Sequence, residues 1–449
     1  MKPAPYDHAS IRKVALASFV GTTIEWYDFF LYGTASALVF GRLFFPNYDE
    51  LTGTLASFGT YAVGFVARPI GGIVCGHFGD RIGRKSMLIF TLLLMGVATA
   101  LIGMLPTYEQ IGIWAPVLLI ALRLAQGFAV GGEWGGAVLM AVEHAPRGRR
   151  GFYGSWPQIG VPAGLLMSTL IFGQISQLPE AAMLRWGWRV AFLLSILLVA
   201  VGLFIRLTVV EPPGFVAIKQ TRTEARLPVL DAFRHHPKNL LLAMGARVAD
   251  NAVFYLYTVF ILAFATRPQI GFSRATVLNA VSLAAVLQMI ALPTFGLLSD
   301  RLGRRPVYLF GALFTGAFAF PFFWLIETAQ TIWLMLAVVL ALVIGHAAMY
   351  GPQASFFSEL FGTRVRYTGA SLGYQLSSVL AGGLSPLIAT DLLRRTGSSW
   401  PIALYIIVVA LITLVSVFLA SETAHEDIHA HPLPGQPEST AQFPARETS

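Results

Sequence analysis

The sequence predicts an all-α polytopic membrane protein in which twelve transmembrane helices form two six-helix halves. Three observations carry this prediction: the composition, a series of apolar runs of membrane-spanning length, and a decapeptide that occurs twice. Hydrophobic residues make up 55% of the 449-residue chain and charged residues 12%, about half the share of an ordinary globular domain. A soluble protein so composed would have to bury nearly all of its surface, whereas a membrane protein exposes apolar side chains to lipid.

The decapeptide occurs as GHFGDRIGRK at residues 76–85 and as GLLSDRLGRR at residues 296–305. The second copy starts 220 residues after the first, close to half the chain length. Each copy follows one long apolar run and precedes another, which indicates a tight basic connection between two helices. Gly83 and Gly303 can turn the chain there, while the cations are expected to stay in the cytoplasm.

Twelve runs are long enough to cross a hydrocarbon core of about 30 Å at about 1.5 Å per residue. They lie near residues 15–40, 55–78, 86–105, 113–140, 152–175, 188–208, 240–265, 277–299, 306–326, 331–353, 367–391 and 400–420. The chain then divides into an N-terminal half (1–208), a cytoplasmic linker (209–239), a C-terminal half (240–420) and a cytoplasmic tail (421–449) expected to be disordered. Lys and Arg concentrate in alternate loops and at both termini, so both termini are expected in the cytoplasm. The same loops account for the net charge of +8, so no nucleic acid partner is expected.

The first span carries two carboxylates, Glu25 and Asp28, three residues apart and therefore on one helical face near the middle of the membrane. At this depth a carboxylate costs at least about 2.5 kcal/mol unless it is paired, hydrated or protonated. Each is therefore a functional candidate, and a structural contact between helices is the alternative. Arg68, in the second span, has Gln288 at the equivalent position of the second half, so it is not part of the repeated framework. Ligand, counter-ion and packing roles stay open for it.

The fourth span combines glycines every four residues with a stripe of polar side chains. Gly127, Gly131 and Gly135 let a neighbouring helix approach closely. No strand is predicted before this stretch and no G-K-[ST] follows it, so the glycines do not predict a phosphate-binding loop. The polar stripe consists of Arg123, Gln126 and Glu133.

A second repeated element follows the fourth and tenth spans, where a glutamate precedes an arginine by seven residues in both halves. The pairs are Glu143 with Arg150 and Glu359 with Arg366. In the seventh span Arg247, Asp250 and Asn251 lie at i, i+3 and i+4 with Tyr255 beyond, although Arg247 and Asp250 could simply neutralise each other. Tyr374 and Gln375 on the eleventh span loosely mirror Gln158 on the fifth.

These motifs resemble those of a known family. The G-x-x-x-D-R-x-G-R-[KR] decapeptide is the signature of the major facilitator superfamily, and R-x-x-Q-G-x-x-x-G from Arg123 resembles its fourth-helix motif. EWYDF in the first span, GGEWGGA in the fourth and RYTGASLGYQ in the eleventh are similar to the metabolite:proton symporter branch. Members of that branch take up shikimate, 2-oxoglutarate, citrate, or proline and betaine. The resemblance covers about residues 12–420 and is closest to the shikimate type at the short Arg247–Asp250 stretch.

The resemblance implies the major facilitator fold, with an inverted three-plus-three repeat in each half and a substrate site between the halves. It implies proton-coupled uptake (symport) of a small organic acid across a bacterial inner membrane, with the proton as coupling ion and no other cofactor. Uptake of a zwitterionic osmolyte is the alternative. An enzyme is not expected, because the spans contain no Cys/His cluster and no nucleophile–base spacing, and a receptor is not expected because every loop is short. The expected partners are a small carboxylate, protons and membrane lipid.

Site roles follow from the same resemblance. An ion pair between Asp28 and Arg123 is expected to couple transport to the proton, and Arg247, before Arg68, is expected to bind the carboxylate. The predicted proton-coupling residues are Asp28, Arg123, Glu25 and Glu133. The predicted substrate-binding residues are Arg247, Arg68, Gln126, Gln158, Asp250, Asn251, Tyr255, Tyr374 and Gln375. The predicted cytoplasmic gate comprises Asp80, Arg81, Arg84, Glu143, Arg150, Asp300, Arg301, Arg304, Glu359 and Arg366, and no metal site is predicted.

Overall fold

The computed structural model of the protein describes residues 8–82, 84–143, 145–146, 148–208, 234, 236–361 and 366–424. Within these ranges every regular element is a helix and there is no strand. Eleven helices of the described part are long and apolar enough to cross a membrane. The first helix is the twelfth member of the bundle, and its hydropathy is lower because its central stretch contains Glu25 and Asp28. The all-α, twelve-helix prediction is confirmed.

The helices are numbered α1 to α12 in chain order. The first half consists of α1 (His8–Ala35, a π-helical turn Ser36–Phe40, and Gly41–Phe44), α2 (Glu50–Ile82), α3 (Arg84–Met104), α4 (Trp114–Gly131 and Trp134–Glu143), α5 (Arg150–Ile175) and α6 (Glu180–Ala182, a π-helical turn Met183–Gly187, Trp188–Leu193 and Ser195–Thr208). The second half consists of α7 (Pro237–Tyr255, a π-helical turn Leu256–Phe260, and Ile261–Ala265), α8 (Arg274–Leu302), α9 (Arg304–Glu327), α10 (Thr331–Leu340, a π-helical turn Ala341–His346, and Ala347–Glu359), α11 (Arg366–Ser377, a π-helical turn Ser378–Gly383, and Ser385–Thr396) and α12 (Trp400–Leu419).

Several helices extend beyond the apolar runs that predicted them. The tenth span was expected to end near residue 353, but α10 continues to Glu359. Hydropathy marks only the part of a helix that crosses the hydrocarbon core, and polar turns continue the same helix on either side of it. Most of the predicted linker, residues 209–233 and 235, lies outside the described residues, as does the tail from residue 425.

The two halves meet along two long helix pairs, α5 with α8 and α2 with α11. Because α2 and α8 each end in a decapeptide, both decapeptides belong to the same end of the bundle, which we call the decapeptide end. Gly303 separates α8 from α9 with a φ of 101°, a conformation that favours glycine, as the sequence predicts. Gly83 lies outside the described residues.

Glycines bring α2 and α4 into backbone contact. A Cβ atom added to Gly127 would overlap the carbonyl oxygen of Gly64, and one added to Gly131 would overlap that of Arg68. In the opposite direction, Gly71 faces the carbonyl oxygen of Phe128 in the same way. The close approach predicted for Gly127 and Gly131 is confirmed, and it brings the helices that carry Arg68 and Arg123 together.

Candidate functional site

Arg68 lies near the middle of α2 and is fully buried. Its guanidinium carbon lies 4.2 Å from the ring centroid of Phe29, 4.3 Å from that of Phe65 and 5.5 Å from that of Trp26. Ring faces attract a cation but accept no ordinary hydrogen bonds. Nε, Nη1 and Nη2 of Arg68 have no hydrogen-bond partner among the described residues. The site therefore holds a buried guanidinium with all of its donors unused.

The rings around Arg68 reach across the boundary between the halves. The Tyr255 ring of α7 lies 5.2 Å from Phe65 and 6.0 Å from Phe29. Its hydroxyl group lies beside the Arg68 guanidinium and forms no hydrogen bond of normal geometry with the described residues. A Cβ atom added to Gly382 of α11 would lie 2.8 Å from both the Phe65 and the Tyr255 ring. Arg68 thus belongs to the first half, but its surroundings are completed by the second.

Arg123 of α4 is enclosed by rings of the first half. Its guanidinium carbon lies 4.3 Å from the centroids of both Phe29 and Tyr32 and 4.7 Å from that of Tyr61. Its Nη1 donates to Gln126 Oε1 at 3.1 Å. Gln126, predicted as a substrate ligand, instead positions this arginine.

The predicted ion pair between Asp28 and Arg123 is not present. Asp28 is buried, and neither of its carboxyl oxygens has a hydrogen-bond partner among the described residues. Thr99 lies next to this carboxyl group, but its hydroxyl donates to the Met95 carbonyl oxygen (2.9 Å) and accepts from Gln126 Nε2 (2.7 Å). Thr99 and Gln126 therefore lie between Asp28 and Arg123, and hydrogen bonds join Thr99 to Gln126 and Gln126 to Arg123. The rotation of α1 explains the difference, because it turns Phe29 and Tyr32 towards Arg123. Glu25 and Glu133 are also buried, and neither is without a partner.

Arg247 of α7 has its charge compensated. Its Nη1 lies 3.0 Å from Asp250 Oδ2 and also donates to Gln353 Oε1. Its guanidinium carbon stacks 3.2 Å from the Tyr374 ring centroid. Gln353 Nε2 donates to the Tyr308 hydroxyl (2.7 Å), which in turn donates to the Ala246 carbonyl oxygen. The alternative in which Arg247 and Asp250 neutralise each other is the arrangement that the structure shows.

Polar and aromatic contacts, two of which cross between the halves, surround the region near Arg247. The rings of Trp134 and Tyr374 stack with centroids 3.7 Å apart. Trp134 Nε1 donates to Gln158 Oε1 (3.3 Å), and Gln375 Nε2 donates to the Gly131 carbonyl oxygen (3.2 Å). Asn251 Nδ2 donates to the Ser377 carbonyl oxygen at 3.5 Å. The structure thus brings the predicted residues of the fifth, seventh and eleventh spans into one region between the halves.

At the decapeptide end, Arg304 is bound by two carboxylates. Its Nε and Nη2 donate to the two oxygens of Glu359, both at 3.1 Å, and its Nη1 donates to Asp300 Oδ1 at 2.7 Å. All three side chains are buried. Two parallel hydrogen bonds from one guanidinium to one carboxylate combine strength with a fixed orientation.

Two contacts of this network cross between the halves. Asp300 accepts hydrogen bonds from the backbone N–H groups of Gly151 (2.8 Å) and Phe152 (2.9 Å), in the first turn of α5. Arg150 Nη1 lies 3.7 Å from Glu359 Oε1. A carboxylate at a helix N-terminus satisfies unpaired N–H groups and interacts favourably with the helix dipole. These contacts join the two halves at the decapeptide end.

The rest of the predicted gate divides into two groups. Arg301 is exposed and has no ion pair with another described residue, contrary to the prediction. Consecutive residues of a helix point about 100° apart, so Arg301 does not share the buried face of α8 that carries Asp300. The structure describes the backbone but not the side chains of Asp80, Arg81, Arg84, Glu143 and Arg366, so their part in the network stays a prediction.

Residues beyond α12 complete the gate, although the sequence predicts a disordered tail from residue 421. Glu422 accepts hydrogen bonds from the backbone N–H groups of Arg304 (2.8 Å) and Arg305 (3.0 Å), in the first turn of α9. Thr423 Oγ1 donates to Glu359 Oε2 at 2.8 Å. Burial alone would raise the pKa of Glu422, but hydrogen bonds from the backbone N–H groups of Arg304, Arg305, Thr423 and Ala424 hold that pKa below its ordinary value. The signal available in the sequence was a Ser-Glu-Thr stretch directly after the last apolar run.

Within the described ranges, no group of three or more histidine, cysteine or carboxylate side chains is placed to hold a metal ion. The sequence does not predict the aromatic partners of Arg68 and Arg123. These rings, from Trp26, Phe29, Phe65 and Tyr61, come from two helices whose relative rotation the sequence does not give.

Comparison with known proteins identifies the family. The Major Facilitator Superfamily model matches residues 18–369 and 251–446. The shikimate transporter of Escherichia coli (strain K12) is 42% identical over 92% of this chain and 95% of its own length. The glycine betaine/proline/ectoine/pipecolic acid transporter OusA of Dickeya dadantii (strain 3937) is 34% identical over 94% of this chain and 85% of its own. The proton:xylose symporter XylE bound to 6-bromo-6-deoxy-D-glucose has the same fold, with a TM-score of 0.71 at 16% identity over 94% of this chain and 98% of that one.

Proposed function

The chain belongs to the major facilitator superfamily and is a membrane transporter rather than an enzyme, and we propose that it imports a small organic acid together with protons. The observation that carries this proposal is the state of Arg68. A fully buried guanidinium whose three nitrogens have no partner among the described residues is costly unless an anion binds it. A substrate carboxylate would supply the missing charge and two parallel hydrogen bonds.

The surroundings of Arg68 suit a substrate between the halves. Phe65 and Phe29 hold the guanidinium plane, while Tyr255, from the second half, contributes an unpaired hydroxyl group beside them. Gln158, Asn251, Tyr374 and Gln375 come from the fifth, seventh and eleventh helices and would bind hydroxyl or carbonyl groups. The present hydrogen bonds of Gln375 and Gln158 to backbone carbonyl oxygens cross between the halves, so substrate would exchange partners with them.

Proton coupling is assigned to Asp28 and Arg123. An ionised carboxylate without a partner is expensive at this depth, so we assign the neutral, protonated form to Asp28 in this structure. Loss of the proton would create a buried anion, and Arg123 would then be drawn from its rings towards it. Gln126 and Thr99 lie between the two groups, with Gln126 bonded to Arg123 and Thr99 bonded to Gln126. A difference of one pKa unit between two conformations is worth about 1.4 kcal/mol, enough to bias their equilibrium. Glu25 and Glu133 are the secondary candidates for the same proton.

The alternative substrate is a zwitterionic osmolyte, which the likeness to OusA favours. Such a molecule carries a quaternary or secondary ammonium group, which proteins commonly bind on aromatic ring faces. Here the ring faces of Phe29, Phe65 and Tyr61 are occupied by the guanidinium groups of Arg68 and Arg123. A third cation at this place would be repelled, so the organic acid is the better candidate.

We further propose a location in the bacterial inner membrane with both termini and the decapeptide end in the cytoplasm. The distribution of Lys and Arg among the loops supports this orientation. The gate of Asp300, Arg304, Glu359 and Arg150 would then keep the site closed to the cytoplasm in this structure.

A thermal-shift screen of the purified protein tests the substrate class. The ligands are shikimate, 2-oxoglutarate, citrate, proline and glycine betaine. A ligand at 100 times its Kd stabilises the folded state by about 2.7 kcal/mol, which a melting curve resolves. We expect at least one acid to raise the melting temperature and betaine to leave it unchanged. Stabilisation by betaine or proline alone would establish the osmolyte alternative.

A further inference from the structure

We infer that the site takes a substrate with a single carboxylate, bound by Arg68, and that Asp250 excludes a second carboxylate by occupying Arg247. This inference rests on the proposed function, but it concerns the number of charges on the substrate rather than its class. It follows from the different surroundings of the buried arginines near the boundary between the halves.

Arg68 is the guanidinium prepared for an anion. All three of its nitrogens lack a partner in the described part of the chain, and its neighbours are ring faces that hold its plane without using its donors. The fork of a guanidinium matches the two oxygens of one carboxylate. Arg68 can therefore bind a carboxylate without first breaking a hydrogen bond.

Arg247 is not available in this way. Asp250 at 3.0 Å neutralises it, Gln353 accepts from the same nitrogen, and the Tyr374 ring covers one face of the guanidinium. A second substrate carboxylate would have to displace Asp250. Displacement would leave a buried carboxylate unpaired, which costs more than the new contact returns. The pair therefore discriminates against dianions.

We assign Arg123 to the proton-coupling carboxyl group of Asp28 rather than to a second substrate carboxylate. Its Nη1 donates to Gln126 Oε1, while its Nε and Nη2 have no partner among the described residues and remain for Asp28 once that carboxyl group loses its proton. The surrounding rings do not separate Arg123 from Arg68, because Phe29 contacts both guanidinium groups and packs on Tyr255 of α7. The assignment of Arg123 therefore rests on the proposed coupling role.

The test uses ligand pairs that differ in one carboxylate, measured by thermal shift and by competition with the best acid of the screen. The pairs are cyclohexanecarboxylate with trans-cyclohexane-1,4-dicarboxylate, and glutaramate with glutarate. We expect the wild-type protein to bind the monocarboxylate of each pair at least about tenfold more tightly. The dicarboxylate would leave one buried carboxylate unpaired, and a cost of about 1.4 kcal/mol corresponds to a tenfold change in Kd. Equal or tighter binding of the dicarboxylates overturns the inference while leaving the proposed function intact.

Three variants separate the roles. Arg68→Gln should weaken monocarboxylate binding by at least about thirtyfold, because a buried charge pair loses one member. Asp250→Asn should release Arg247 and move the preference towards the dicarboxylate of each pair. The matched control is Asp391→Asn, which removes the acid of an exposed Arg–Asp pair at the same i, i+3 spacing and should change neither ligand's affinity.

The outcomes remain distinguishable when a variant is unstable. Size-exclusion chromatography and the melting curve without ligand show whether Asp250→Asn is folded. If it is not folded, the affinities of the wild-type protein for the monocarboxylate and dicarboxylate of each pair still test the inference. Wild-type monocarboxylate affinity in Arg68→Gln would contradict the assignment of the anion to Arg68. Binding of betaine by the wild-type protein without binding of any acid would refute the proposed function, and this inference with it.

Discussion

At the scale of single residues, three buried arginines have three different environments. Among the described residues, Arg68 has ring faces and no hydrogen-bond acceptor, Arg123 has ring faces and one amide, and Arg247 has a carboxylate and an amide. The free energy of a buried charge depends mainly on its partners, so these environments assign different roles to chemically identical groups. The sequence predicts that all three lie at membrane depth, but not which one is paired, because the partners come from other helices.

The link between Asp28 and Arg123 gives a prediction for Thr99. Thr99→Val removes the oxygen that accepts from Gln126, which leaves a buried N–H unpaired at a cost of about 1–3 kcal/mol. We expect acid accumulation driven by a pH gradient to fall, while acid binding is retained. Uptake in proteoliposomes with and without the gradient measures this.

Thr91→Val is the matched control, because Thr91 is a buried threonine of the same helix whose hydroxyl donates to the Leu88 carbonyl oxygen and accepts no bond from Gln126. It should accumulate acid like the wild type. Normal proton-driven accumulation by Thr99→Val would show that Asp28 and Arg123 are not coupled through this route.

At the scale of helices, the number, order and approximate position of the spans follow from the sequence, and so does the glycine contact between α2 and α4. The ends do not: α10 runs to Glu359 because its last turns bind Arg304 instead of lipid. The π-helical turns after Tyr255, at His346 and at Gly382 also have no signal in hydropathy, since they depend on packing between helices. The position of Glu422 could not be predicted because its partners are backbone N–H groups of α9.

The α2–α4 contact predicts that Gly127→Ala is strongly destabilising. The new methyl group would overlap the backbone of Gly64, which cannot move without separating the helices. Overpacking of this kind costs about 1–3 kcal/mol or more. Melting of the purified variant in detergent should occur at a clearly lower temperature than melting of the wild type.

Gly59→Ala provides the control within α2, because nothing lies within 4 Å of a Cβ atom added there. Alanine is favoured over glycine in a helix by about 1 kcal/mol, so this variant should melt at the same or a higher temperature. Equal melting temperatures for the two alanine variants would contradict the close packing.

Glu422 gives a prediction for pH. Backbone hydrogen bonds lower its pKa in the folded protein relative to the ordinary value of 4.5. Its contribution to stability is therefore complete above that value and is lost as the pH falls through the lowered pKa. Glu422→Gln should lower the melting temperature at pH 7, and the difference from wild type should shrink at acidic pH below 4.5.

The exposed Glu109 allows the comparison to be controlled, since Glu109→Gln removes a carboxylate of the bundle surface. This substitution should leave the melting temperature unchanged at both pH values. A Glu422→Gln difference that is the same at neutral and acidic pH would mean that the Glu422 carboxylate does not stabilise the first turn of α9.

At the scale of the whole molecule, the gate joins the halves by contacts that the two-fold repeat only partly predicts. Arg150 and Glu359 belong to the repeated Glu–Arg elements, and their side chains meet across the boundary. Asp300 binds the first turn of α5 in addition to Arg304, a role that its place in the decapeptide does not reveal. Exposed ion pairs contribute only about 0–1 kcal/mol each. The side chains of this network are buried, so removing one charged partner is expected to cost more than that.

The gate predicts that Asp300→Asn opens the decapeptide end more often. Asparagine keeps one acceptor oxygen but loses the charge that binds Arg304 and the first turn of α5. A cysteine placed at Ser355, which is buried where α10 meets α5, reports the opening after Cys75 is replaced by serine. Labelling of that cysteine by a water-soluble maleimide should be several-fold faster in the Asp300→Asn background. An unchanged rate, equal to that in an Asp391→Asn control, would show that Asp300 does not hold the halves together.

Uptake in proteoliposomes under an imposed pH gradient tests the central claim, that protons drive import of an organic acid through Asp28. The wild-type protein should accumulate the acid found in the ligand screen only when the outside is more acidic, and a proton carrier should abolish the accumulation. Asp28→Asn, which mimics the protonated form, should bind the acid with wild-type affinity but no longer accumulate it. Accumulation by Asp28→Asn at the wild-type level, or wild-type accumulation that persists without the gradient, would contradict the account.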